Sequence, residues 1–296
     1  MINQLQMDRM GHANGFVAAL DQSGGSTPKA LKLYGIQKDN WSSESEMFAL
    51  VHEMRVRIIT SKRFDGDNIV AAILFVNTMN NKIENRPTAE YLWEEKHIVP
   101  ILKIDSGLAE EYDGTQLMKP INNLDQLLIT AKDKGIFGTK MRSVIKTSHT
   151  SGIKRLVEQQ FETAMRITQA SLVPIIEPEI DINAPDKSKI EDILNTEILK
   201  HLDQLSENEK VMLKLTLPNK DNLYLDCVKH PSVLRVLALS GGYSRDESNK
   251  RLAKQQGVIA SFSRALTEGL SKQQSNQEFE ELLYSSIKSI TEASNT

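Results

Sequence analysis

The chain has a single cysteine, Cys227, in 296 residues, so it cannot form an internal disulfide. It also has no apolar run near the ~18 residues that mark a membrane-spanning helix. The first residues, Met1-Ile2-Asn3-Gln4-Leu5, lack the basic start and apolar stretch of an export signal. A cytoplasmic protein is expected. There is no excess of basic charge, the formal net charge being -3, which argues against general attraction to nucleic acid or to anionic membranes and favours a small partner. No low-complexity stretch or linker divides the sequence, and one domain over residues 1–296 is the expectation. Histidine is sparse too. His12, His52, His97, His149, His201 and His230 are not paired at metal-ligand spacing on a strand end, so neither a metal nor any other cofactor is expected.

What is present is a regular alternation. Eight short apolar runs, at residues 15–22, 69–78, 98–105, 138–145, 172–180, 210–217, 234–240 and 258–263, are separated by longer stretches, several of them amphipathic. Near-continuous apolar character suits parallel strands covered on both faces, and the spacers are long enough for helical crossovers. Helices are expected over residues 42–61, 124–134, 151–169, 186–205 and 244–256. Eight strand–helix units predict a closed (β/α)8 barrel, with residues 1–14 as an extra leading segment and 276–290 as the last helix. An open doubly wound sheet is the alternative. No Gly-x-Gly-x-x-Gly follows the first run, which weakens its dinucleotide-binding form.

Polar residues interrupt these runs near their carboxyl ends. Asp21 closes the first run, Lys103 pairs with Asp105, Lys140 with Arg142 and Glu177 with Glu179, while Lys214 sits late in the sixth. A spacing of two keeps each pair on one strand face. If that face is the lumen, these residues converge at the mouth where barrel enzymes do their chemistry, a structural ion-pair network being the other reading. Lys214 shares its face with Met212 and Thr216, opposite Val211, Leu213, Leu215 and Leu217. An ammonium so placed, with Lys140 and Arg142 nearby, is expected to shed its proton and attack a carbonyl. Loss of water gives a protonated imine, an electron sink that stabilises an adjacent carbanion, so that a neighbouring carbon–carbon bond breaks or forms. Glu177 and Glu179, as close carboxylates with unequal proton affinities, are the expected proton carriers.

Two loops carry anion-binding chemistry. Ser240-Gly241-Gly242 follows the seventh run and Arg264 closes the eighth, the usual phosphate site of this fold. Ser23-Gly24-Gly25-Ser26 follows the first run, and two sites on opposite sides suit a substrate phosphorylated at both ends.

Taken in order, Ala-Leu-Asp21-Gln-Ser23-Gly-Gly-Ser26, Lys103-Ile-Asp105, Thr-Lys140-Met-Arg142, Val-Pro-Ile-Ile-Glu177-Pro-Glu179-Ile, Met-Leu-Lys214-Leu and Leu-Ser240-Gly241-Gly242 resemble class I fructose-bisphosphate aldolase in its shorter bacterial form. The resemblance implies reversible cleavage of fructose 1,6-bisphosphate in glycolysis or gluconeogenesis, with no metal. It implies Lys214 as the Schiff-base lysine, Glu177 as general acid/base with Glu179 as its partner, and Asp21 assisting imine formation and bond cleavage. Lys140 and Arg142 would supply charge near the reacting carbons, and Lys103 would hold the substrate chain. Ser240, Gly241, Gly242 and Arg264 would bind the phosphate nearest the ketone, with Ser23 and Ser26 holding the other. Animal members end in a tyrosine on a mobile tail, whereas this sequence ends at Thr296 after a polar stretch, so alpha-proton exchange would fall to Glu177 or a substrate phosphate. Gln22 and Ala30 also differ from charged residues of animal members, which bears on the distal phosphate. Another Schiff-base lyase or transaldolase, and a non-catalytic sugar-phosphate sensor, are the competing functions. Whether copies assemble into a homo-oligomer is open at this level.

Overall fold

The computed structural model describes residues 2–206 and 208–296. Met1, with which the expected leading segment begins, lies outside them. Among the described residues eight parallel strands build the barrel: β1 (Phe16–Leu20), β2 (Ile69–Leu74), β3 (Val99–Lys103), β4 (Gly138–Ile145), β5 (Val173–Ile180), β6 (Val211–Thr216), β7 (Val233–Leu239) and β8 (Val258–Phe262). Each pairs in parallel with the next, and β8 pairs with β1 through Val17 and Ser261, so the sheet closes in sequence order. The expected barrel is therefore the observed one.

Strand alternation divides the apolar residues into two sets. Ala19, Ile73, Ile101, Ile175, Met212 and Ile259 belong to an inner cluster that fills the lumen. Leu102, Ile176, Ile180, Leu213, Leu215 and Leu217 belong to a larger outer cluster shared with the helices. The amino-terminal end of the lumen is stoppered by α1 (Gln4–His12), whose Met7 and Met10 join the inner cluster. Arg235 on β7 holds this plug, donating from Nε to the Met10 carbonyl and from Nη2 to the Ala13 carbonyl, each at 3.0 Å.

The longer crossover helices fall where amphipathic stretches place them. After α2 (Ser26–Leu33) come α3 (Glu44–Thr60), α4 (Val76–Asn80), α5 (Leu124–Asp133), α6 (Thr150–Gln169), α7 (Lys187–Leu202) and α8 (Leu225–Lys229). Then follow α9 (Arg245–Leu252), α10 (Arg264–Thr267) and α11 (Asn276–Ser294). Among the described residues no helix is long and apolar enough to cross a membrane. The sequence expectation fails in several places. The second strand stops at Leu74 rather than continuing to residue 78, because Phe75 caps α4, which turns Met79 and Thr78 inward. The β2–β3 connection holds a two-stranded hairpin, Lys82–Ile83 with Arg86–Pro87, and short helical turns in place of one crossover helix. Helix α2 was not expected at all. At the far end of the chain, Thr296 accepts from the Gly257 amide at 3.2 Å, just before β8 and thus at the end of the barrel opposite the strand carboxyl ends.

Candidate active site

The carboxyl ends of the strands surround a cavity of about 540 Å³. Every expected site residue except Gly242 lines it. Register explains the convergence: Lys103 on β3 pairs with Lys140 on β4, and Arg142 on β4 pairs with Glu177 on β5. Asp21 lies one residue beyond β1 and Asp105 two beyond β3, where the chain leaves the sheet but has not yet reached solvent.

At the centre, Glu177 stands between two lysines. Its Oε1 is 2.9 Å from Lys214 Nζ, and its Oε2 is 2.9 Å from Lys140 Nζ. Lys140 Nζ also lies 2.5 Å from Asp21 Oδ2. Lys214 is 4% exposed, and Lys140 and Glu177 are each 3% exposed, so this chain of alternating charges is shielded from water. Burial pushes the Asp21 carboxyl up, but the charges of Lys140 and Lys214 outweigh it and hold the group well below the usual carboxylate range. Glu177 follows the same pattern: burial raises it, Asp21 adds to the rise, and the two lysines bring it below its ordinary value. For Lys140, burial favours proton loss, yet Asp21, Glu177 and Asp105 together hold the ammonium above the usual lysine range.

A second tier lies further out. Arg142 Nε is 2.5 Å from Glu179 Oε2, and despite its burial this contact strengthens the guanidinium's hold on its proton. Lys103 Nζ donates to Asp105 Oδ1 at 2.6 Å, while Asp105 Oδ2 accepts from the Arg142 amide at 3.2 Å. Lys103, Lys140, Arg142 and Lys214 thus face Asp21, Asp105, Glu177 and Glu179, four cations against four carboxylates. Two sequence expectations change here. Glu177 and Glu179 do not act on each other as a pair of like charges, since each is matched to its own cation, and the like charge felt by Glu177 is that of Asp21. Nor are Lys140 and Arg142 bare positive charges beside Lys214, since carboxylates contact both.

The family model described as fructose-bisphosphate aldolase class-I matches residues 8–231. A fructose-bisphosphate aldolase class 1 from Synechocystis is 59% identical over 294 residues, 99% of this chain and 98% of that protein. One from Clostridium acetobutylicum is 58% identical over 295 residues, covering 100% of both. The chain belongs to the class I fructose-bisphosphate aldolase family. These are aldehyde-lyases of the metal-independent class. In fold, the chain resembles a fructose-bisphosphate aldolase from Plasmodium falciparum, solved in complex with TRAP and a small-molecule inhibitor. The TM-score is 0.79 at 20% identity, covering 98% of this chain and 92% of that one. It also resembles a Schiff-base-forming fructose-1,6-bisphosphate aldolase, with a TM-score of 0.58 at 11% identity over 97% of this chain and 100% of that one.

In this class I barrel the outer loops complete the cavity. Gly241 and Gly242 have φ of +60° and +122°, conformations open to glycine and strained for other residues. A Cβ on Gly242 would sit 3.7 Å from Arg264 Nη2, so the glycine backbone and the guanidinium lie side by side. Ser26 Oγ accepts from the Ser23 amide at 2.9 Å and donates to the Ser23 carbonyl at 2.8 Å, which fixes the turn into α2. The sequence reading missed Lys29, Leu33 and Tyr34, which line the cavity from α2 and just beyond it. It also missed Ser261 and Ser263 at the end of β8. The signal for Lys29 was its position one turn beyond the Gly-Gly loop, hidden because α2 was read as part of a turn. Among the described residues no group of three or more His, Cys, Asp or Glu side chains is placed to hold a metal ion.

Proposed function

We propose that Lys214 forms the Schiff base through which this chain cleaves fructose 1,6-bisphosphate reversibly to dihydroxyacetone phosphate and glyceraldehyde 3-phosphate. The observation that carries this reading is the Lys214–Glu177–Lys140–Asp21 chain, buried at the mouth of a class I barrel. Glu177 Oε1, in contact with Lys214, is placed to take the ammonium proton, and the freed amine attacks the C2 carbonyl of the open-chain ketose. Glu177 returns a proton to the carbinolamine hydroxyl, which leaves as water and yields the iminium. Asp21 accepts the 4-hydroxyl proton as the C3–C4 bond breaks; the bonding pair flows into the iminium to give an enamine, and the aldehyde departs. Glu177, recharged with the proton that Asp21 took up, or a substrate phosphate that exchanges it, then protonates C3, and hydrolysis of the resulting iminium frees the second product and restores the Lys214 ammonium. Lys140 keeps its charge throughout and steadies oxyanions near C3 and C4.

Arg142, paired among the described residues through Nε alone, keeps its two terminal nitrogens for substrate, and Glu179 holds the guanidinium plane in place. Lys103 holds the substrate chain. Ser240, Gly241, Gly242 and Arg264 receive the phosphate nearest the ketone, and Ser23 and Ser26 the distal one. Two anion sites favour a bisphosphate over the single-phosphate substrates of a transaldolase. The balanced charge of the inner site supports the same choice, because the negative charge of the substrate is left to the outer loops. Residues 1–296 act as one barrel domain, in the cytoplasm. Borohydride reduction with dihydroxyacetone phosphate, followed by peptide mass mapping, tests the proposal. Label on Lys214 is expected, and turnover with that residue unlabelled would refute it.

A further inference from the structure

Arg55 on α3 is 1% exposed and is the largest of the fully buried side chains. Its contacts are neutral oxygens. Nη1 donates to Thr78 Oγ1 at 2.6 Å, and Nη2 donates to the Gln22 carbonyl at 2.5 Å and toward Gln22 Oε1 at 3.4 Å. Nε is buried without a hydrogen-bond partner among the described residues. A guanidinium so enclosed is an expensive way to fill space, and an apolar side chain would do so at less cost. Burial lowers its pKa to about 10, and the opposing negative charge is that of Asp21, the neighbour of Gln22.

The contacts continue beyond Arg55. Gln22 Nε2 donates to Ser263 Oγ at 2.6 Å, and Ser263 immediately precedes Arg264. Thr78 follows β2, Gln22 follows β1 and Ser263 follows β8, so one buried cation ties together three adjacent loops of the mouth. We infer that Arg55 is a positioning residue which, through Gln22, fixes the distance between the Asp21–Ser26 segment and Arg264, and so sets the span available to a substrate phosphorylated at both ends. This rests on the reading above of the two loops as anion sites.

The test compares cleavage of fructose 1,6-bisphosphate and fructose 1-phosphate, with borohydride labelling of Lys214 by dihydroxyacetone phosphate, in Arg55→Met and Gln22→Leu. Arg55→Met should raise KM for the bisphosphate about tenfold or more, and KM for the monophosphate by less than about twofold, with labelling at saturation unchanged. Gln22→Leu keeps the backbone carbonyl that Arg55 holds and loses the side-chain link to Ser263 together with the longer contact from Arg55 to Gln22 Oε1. It should show the same split at roughly threefold, and it decides the matter if Arg55→Met does not fold. Equal rises for both substrates, or no rise for either, would overturn the brace. A wild-type chain that takes up no label would overturn both the brace and the lysine reading, whereas normal labelling without the split overturns the brace alone.

Discussion

Replacing Lys140 with methionine probes the electrostatic frame directly. Its Nζ lies 2.5 Å from Asp21 and 2.9 Å from Glu177, with all three groups buried, and methionine fills similar space without charge. Glu177 would keep Lys214 at 2.9 Å, whereas Asp21 would lose the cation that contacts it. Removing one member of a buried pair typically costs about 3–5 kcal/mol, and that deficit is expected at pH 8. The dependence on pH should then run opposite to that of the wild type. In the wild type the carboxyls of Asp21 and Glu177 are held below their ordinary values, so their contribution is complete above the unfolded pKa, roughly pH 4, and is lost only as pH falls through their lower folded values. Without Lys140, burial prevails at Asp21, and its folded pKa rises above the unfolded one. The folded variant then takes up a proton that the unfolded chain does not, gaining about 1.4 kcal/mol for each pH unit of descent. The deficit should therefore be smaller at pH 5 than at pH 8, shrinking by at most about 1.4 kcal/mol for each unit below the raised pKa of Asp21. Urea unfolding midpoints of both proteins at pH 8, 6.5 and 5 measure this. A deficit equal at all three would mean that only packing was lost, and would refute the assignment of Lys140 as the counter-charge of Asp21.

Two further substitutions separate the chemistry from the binding. Glu177→Gln keeps the shape but removes the proton acceptor beside Lys214, so kcat should fall by about 10²–10⁴-fold and imine formation, read by rapid borohydride quench, should become slow; an unchanged kcat would rule out Glu177 as the proton carrier. Gly241→Ala forces a side chain into a left-handed conformation, worth about 1–2 kcal/mol of strain. Because its Cβ would also meet Ile182 Cγ2 at 2.6 Å, KM and the competitive inhibition constant for inorganic phosphate should rise together.

The strands were legible because a parallel strand covered on both faces must be apolar nearly throughout. A lysine or glutamate within such a strand therefore stands out as something the barrel tolerates for a purpose. Lys214, Glu177 and Lys140 could be found in this way, and the fold brings all three into contact. What the sequence could not convey is which charge meets which across the mouth. Residues two apart share a face, but register and rotamer sent Glu177 to the lysines and Glu179 to Arg142. Helix α2 was hidden because Gly24, Gly25 and Pro28 resemble a turn, although proline is tolerated in a first helical turn. Arg55 was hidden for a different reason. In Met54-Arg55-Val56-Arg57 it looks like one of two surface cations, and only the fold shows Arg55 sealed under the first loop while Arg57 lies over the ring of Phe279.

The pairing of charges in the mouth is hard to explain by stability. Buried ion pairs repay their desolvation poorly, and leucine or methionine at these positions would pack the upper layer of the lumen as the inner cluster packs the lower ones. A balanced set has a different property. Moving one proton from Lys214 to Glu177 turns an ion pair into a neutral pair and leaves the sum of charges unchanged, so the nucleophile is uncovered without creating an isolated charge in a dry site. Asp21 and Lys140 stay ionised beside it, and in the proposed mechanism one accepts the proton released by bond cleavage while the other is the counter-charge of whatever oxyanion forms. On this view the four carboxylates are what allow four cations to stand where a ketose is turned over, and removing any carboxylate should harm the reaction through the cation it leaves unmatched.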